Sequence, residues 1–150
     1  MVVDFLLKRA PRFRVGAITR VGPWREDNLR REFRELMRWA KAQRARPGRW
    51  IFLERGSNRW EACLEFAGRA RATGRVRLKT LPSAAVASVT FDPDQVSSSV
   101  VYHALNDWVR RHGKGRRIRG VTGIREIYSG DPWADKEAWA HCEVQFLLRK

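Results

Sequence analysis

The second half of this chain repeats the pattern of its first. Residues 13–21 are rich in β-branched and small residues, run into Gly22-Pro23, and read as a strand ending in a turn. In residues 28–43, Leu29, Phe33, Leu36, Met37 and Ala40 recur at three- and four-residue intervals, the spacing of an amphipathic helix, which Pro47-Gly48 is expected to end. Residues 50–55 and 60–66 then predict a hairpin around Gly56-Ser57-Asn58. After a basic connection, residues 76–78 and 84–91 again read as strand, and Asp92-Pro93 turns the chain. Residues 97–111 carry Val101, Leu105, Trp108 and Val109 at helical spacing, and residues 121–128 and 141–148 complete a second hairpin with a longer loop.

Particular residues mark the repeat. Ile18-Thr19 and Val89-Thr90 occupy matching strand positions, each followed by a proline. Phe33, Leu36 and Trp39 match Tyr102, Leu105 and Trp108 in spacing, and Glu54 is taken to correspond to Glu126. Two β-α-β-β units predict an α+β fold: one antiparallel sheet backed by two helices, with pseudo-twofold symmetry and room for a ligand on a concave face or at the seam. The 150 residues fit a single domain, 1–150, with halves at about 1–70 and 75–150.

Charge raises a competing class. The sequence holds 31 Lys plus Arg against 16 Asp plus Glu, a formal charge of +15 that favours acidic partners such as nucleic acid. The basic residues are spread along the whole chain, many at expected turns and exposed helix faces, so a solvated surface ranks above a nucleic-acid stripe. Two cysteines, Cys63 and Cys142, do not make a disulfide framework, and with no signal peptide the reading is a reducing, cytoplasmic setting. No apolar run approaches the length needed to span a bilayer, and Asp4 interrupts the N-terminal apolar stretch.

Three stretches resemble the GyrI-like domains, the family that includes the effector-binding domains of multidrug-responsive regulators. Thr19-Arg20-Val21-Gly22-Pro23-Trp24 is similar to its strand ending in Gly-Pro-aromatic, and residues 101–108 to its second helix. Arg125-Glu126-Ile127-Tyr128, with the Asp131-Pro132 turn that follows, resembles its Glu-x-Tyr strand. The resemblance implies a concave aromatic pocket with a glutamate near its centre. It also implies a lipophilic, often cationic ligand, or hydrolysis of strained cyclopropane-containing compounds in some members. The chain shows no helix-turn-helix segment and resembles the stand-alone members. The loop at 131–140, with Trp133 and Trp139, departs from the pattern.

Strand parity singles out Glu126 independently. Ile124, Glu126 and Tyr128 share one face, as do Trp50, Phe52 and Glu54, so a carboxylate recurs beside aromatic rings. A bound cation would relieve the cost of such a carboxylate through ion pairing and cation–π attraction. Pairing of Glu54 or Glu126 with nearby arginines is the alternative. Trp24 and Trp133 are placed to line an opening, whereas Trp39 and Trp108 read as core.

The expected ligand-binding set is Glu126, Tyr128, Trp24, Trp50, Phe52, Glu54 and Trp133. The expected function is binding of a lipophilic or aromatic small molecule, a cation included, for sequestration or detoxification. In the alternative, a hydrolase, Glu126 and Glu143 act as acid and base; parity leaves Glu143 either in the pocket or at a strand edge. A nucleic-acid partner is the weaker alternative. No cofactor and no metal are called for, since His103, His112, His141 and the cysteines lack ligand spacing.

Overall fold

The computed structural model describes residues 4–56 and 58–149. In chain order the strands are β1 (Leu6–Ala10), β2 (Phe13–Val21), β3 (Arg46–Glu54), β4 (Arg59–Ala67), β5 (Arg77–Leu81), β6 (Ala84–Phe91), β7 (Gly120–Tyr128) and β8 (Cys142–Arg149). The helices are α1 (Glu26–Ala42), α2 (Ser98–Gly113) and the short α3 (Lys136–Ala140), with one 3-10 turn after α2. The α+β class and the repeated β-α-β-β units are as the sequence predicts.

All eight strands form one antiparallel sheet in the order β1-β6-β8-β7-β3-β4-β2-β5. The order is symmetric about the β7–β3 pair: outward on one side run β3, β4, β2, β5, and on the other β7, β8, β6, β1. Each outer strand is contributed by the opposite half, because β1 precedes β2 yet pairs with β6, and β5 precedes β6 yet pairs with β2. The two leading strand–link–strand segments are built alike, each a five-residue strand followed by a two-residue link beginning with proline, Pro11 or Pro82.

Three local features differ from the sequence reading. Strand β1 is absent from that reading because its polar Lys8-Arg9 hide the alternation, and three of its five residues face solvent. Helix α1 stops at Gln43, where Arg44 turns left-handed at φ 57°, rather than at Pro47-Gly48, which lie inside β3 at an irregularity in its pairing with β4. The long loop of the second half contains α3, whose N-cap Asp135 accepts a bond from the Glu137 N–H at 2.9 Å. The first hairpin turn is only partly described, since Ser57 lies outside the described residues.

Both long helices pack on one face of the sheet. The α1 stripe Leu29, Phe33, Leu36, Trp39 and Ala40 and the α2 stripe Val101, Leu105 and Val109 join Trp50, Phe52, Trp60, Leu64, Val144 and Phe146 in one core. The opposite face holds a second core around Phe13, Val15, Ile51, Leu53, Cys63 and Val86. This second core carries no helix, so the curl of the sheet buries it: Phe13 on β2 reaches within 5.5 Å of the Arg125 guanidinium on β7, three strands away in the sheet.

Candidate functional site

A cavity of about 360 Å³ lies between α1 and α2 over the central strands. Its floor is the even-parity face of β3 and β7: Phe52, Glu54, Glu126 and Tyr128. Leu29 and Phe33 of α1 form one wall, and Ser98 and Tyr102 of α2 the other, in line with the matched spacing of Phe33 and Tyr102. Trp24, from the β2–α1 turn, and Pro132, Trp133 and Trp139, from the β7–β8 connection, close the rim.

Phe52 lies directly opposite Glu126 in the ladder, and Glu54 opposite Ile124. Counted from the strand starts, Glu126 and Phe52 are the seventh residues of β7 and β3, and both strands carry a pairing irregularity near the start. Strand for strand, therefore, Phe52 is the counterpart of Glu126, and Glu54 occupies the place of Tyr128. The two carboxylates are diagonal neighbours on one face, not symmetry equivalents.

The Glu126 carboxylate is held by two phenols. Tyr128 donates to Oε2 at 3.0 Å, and Tyr102, reaching down from α2, donates to Oε1. Burial, reinforced by the charge of Glu126, raises both tyrosines above the ordinary phenol range, so they stay protonated and keep donating. The Cys142 thiol beside them is pushed up to about 12, first by burial and then by Glu126, so it remains neutral. Burial, and next the charge of Glu126, raises the Glu54 carboxyl above its usual value.

Among the described residues neither Glu54 nor Glu126 has an ion-pair partner. Among the described residues the cavity lining contains three carboxylates, Glu26, Glu54 and Glu126, and no Lys, Arg or His. In a chain with 31 cationic side chains this is a local inversion of charge.

Aromatic rings frame both carboxylates. Trp24 and Phe52 sit 6.0 Å apart near Glu54, and Tyr128 and Trp139 stack in parallel at 6.4 Å near Glu126. Trp133 lies 6.4 Å from Phe33, and its Nε1 donates to Glu26 Oε1 at 2.9 Å, tying the β7–β8 connection to the start of α1.

Of the residues expected to bind ligand, Trp24, Phe52, Glu54, Glu126, Tyr128 and Trp133 line this cavity. Trp50 does not: it is 4% exposed and stacks beneath Phe33 at 4.7 Å, supporting the wall from behind. Glu143 is corrected outright. It projects from the other face of the sheet, where it accepts from Lys8 and Ser88 at 2.7 Å and from Gln145 at 2.9 Å, so it cannot act with Glu126 as an acid–base pair. Burial pulls its carboxyl up, but those three donors outweigh burial and hold it below its ordinary value.

Tyr102, Glu26 and Trp139 line the site without having been assigned to it from sequence. On α2 the tyrosine reads as one more member of an apolar stripe, and only the gap between the helices turns it toward a ligand space. Among the described residues, no helix is long and apolar enough to cross a membrane, and no group of side chains has the make-up of a metal site.

No family model and no curated protein matches this sequence. Solved structures match in fold. The C-terminal domain of EcmrR superposes with a TM-score of 0.78 at 17% identity, covering 100% of this chain and 99% of that domain. In the cryo-EM structure of the EcmrR–DNA complex in EcmrR-RPo the TM-score is 0.79 at 18% identity, and this chain spans 59% of the EcmrR chain. A hydrolase encoded by lin2189 from Listeria innocua gives 0.59 at 12% identity, covering 97% of this chain and 92% of that one. SAV2435, solved bound to tetraphenylphosphonium, gives 0.57 at 8% identity with 97% and 94% coverage. At these identities the likeness is one of fold, and the fold is the GyrI-like one.

Proposed function

We propose that this chain binds a lipophilic aromatic cation in the cavity between α1 and α2, with Glu126 as the counter-charge, for sequestration or detoxification. The observation that carries the reading is the charge inversion: aromatic rings and three carboxylates line the cavity, and among the described residues no cationic side chain does. A half-buried carboxylate without a cationic partner is costly even when hydrogen-bonded, and an aromatic cation would relieve that cost while gaining cation–π and apolar contact. The volume suits a small aromatic ligand. The presence of tetraphenylphosphonium in a structure of the same fold makes that compound the natural first probe.

The test is quenching of tryptophan fluorescence during titration with tetraphenylphosphonium, beside its neutral relative triphenylphosphine oxide, in the wild type and Glu126→Gln. Saturable quenching by the cation, weakened about tenfold or more by the substitution and absent for the neutral compound, is the expected result. Equal binding to both proteins would overturn the assignment of Glu126.

A further inference from the structure

Taking this pocket reading as its basis, we infer that the site is built for a compound with two cationic centres joined by a short aromatic spacer, rather than for a single charge. Two separate carboxylates face the same space among aromatic rings. Tyr128, which bonds Glu126, stacks on Trp139, and Trp24 packs against Phe52, which lies opposite Glu126 and two residues from Glu54. Their places in the ladder, Glu126 opposite Phe52 and Glu54 opposite Ile124, make them diagonal neighbours, a relation that separates Cα atoms by about 7–8 Å. The Phe52 ring shares their face and offers an apolar surface for a spacer.

The two carboxylates also differ in how they are satisfied. Both oxygens of Glu126 accept from tyrosine hydroxyls, whereas no side-chain donor reaches Glu54 among the described residues. A monocation neutralising Glu126 leaves the Glu54 charge beside it in a partly dry cavity; a second cationic centre removes both charges. The third carboxylate, Glu26, is engaged by Trp133 at the rim and is not needed for this match.

The experiment compares para-xylylene-bis(trimethylammonium) with benzyltrimethylammonium by calorimetric titration of the wild type and Glu54→Gln, with tetraphenylphosphonium titrated in the same series. Salt is kept at about 0.15 M so that the overall positive charge of the protein is screened over about 8 Å. The expected result is that the dication binds the wild type about tenfold or more tightly than the monocation. Glu54→Gln should weaken the dication far more than the monocation, reducing that advantage to within about twofold.

Equal affinity of the two ammonium compounds for the wild type, or an advantage that survives Glu54→Gln, overturns the inference. If tetraphenylphosphonium binds in that case, the pocket reading stands and only the dication is lost. If none of the three binds, both fall. Should Glu54→Gln fail to fold, as judged by circular dichroism, the wild-type comparison decides alone.

Discussion

The hydroxyl of Tyr128 donates to the carboxylate of Glu126, two residues earlier on the same strand, at 3.0 Å. Side chains two apart on a strand share a face, so this bond adds no constraint on the chain; it orients the carboxylate. The matching bond from Tyr102 does constrain the chain, because it ties α2 to β7. Hydrogen bonds to a charged group contribute about 1.5–3 kcal/mol, against about 0.5–1.5 for neutral pairs. Tyr102→Phe is therefore expected to cost the larger amount in the wild type and the smaller in a Glu126→Gln background. Urea denaturation of the four proteins checks this, and equal cost in both backgrounds would mean that the phenol is bonded elsewhere.

A pH prediction concerns Glu54, whose carboxyl is raised by burial and by Glu126. A carboxyl raised on folding binds its proton more tightly in the folded than in the unfolded state, so its ionisation costs stability. That cost is present in full above the folded value, is relieved as pH falls through it, and is gone below the ordinary value of 4.5. Glu54→Gln should accordingly stabilise the protein at neutral pH, by under about 1 kcal/mol because the open side of the residue is screened by water. The gain should vanish in acid. Thermal melts from neutral pH to about pH 4 show whether the two curves converge as pH falls.

Much of this arrangement could be read from residues. Parity put Phe52, Glu54, Glu126 and Tyr128 on one face, and the ladder agrees, because a period of two is insensitive to where a strand begins. The pseudo-twofold followed from strand and helix spacing. What the sequence could not reveal is which cross-strand neighbours meet: Glu143 lies one residue from Cys142, yet it faces the opposite core, and parity alone did not say which face was the pocket. Tyr102 was hidden for a related reason, since a helix stripe looks the same whether it meets a strand or a gap. The exchange of β1 and β5 between halves rests on pairings far apart in sequence, which no local pattern records.

Glu143 gives a prediction of separation. Its carboxyl is held below its ordinary value, so it contributes stability above the unfolded value and loses that contribution as pH falls through the folded one. Glu143→Gln should destabilise the protein by about 1–3 kcal/mol at neutral pH, with the difference closing in acid. Because Glu143 sits on the face away from the cavity, tetraphenylphosphonium affinity should stay within about twofold of the wild type. A larger loss of affinity would place Glu143 in communication with the pocket.

Gly16 separates stability from binding on the helix side. A Cβ at this position would lie 2.6 Å from Cζ3 of Trp39, 2.9 Å from Cη2 and 3.2 Å from Cε3, so it would meet the ring across its width rather than at one flexible end. The ring has little freedom to retreat, since Nε1 donates to the Arg71 carbonyl at 2.9 Å and Phe66 packs against it edge-on at 5.3 Å. Overpacking of this kind costs about 1–3 kcal/mol. Gly16→Ala should therefore lower the urea midpoint and shift the tryptophan emission through Trp39. Trp39 lies toward the end of α1, whereas Leu29 and Phe33, the α1 residues that meet the cavity, lie toward its start. Cation affinity in the folded protein should accordingly be retained, and a loss matching the loss in stability would mean that α1 moves as a rigid unit against the floor of the pocket.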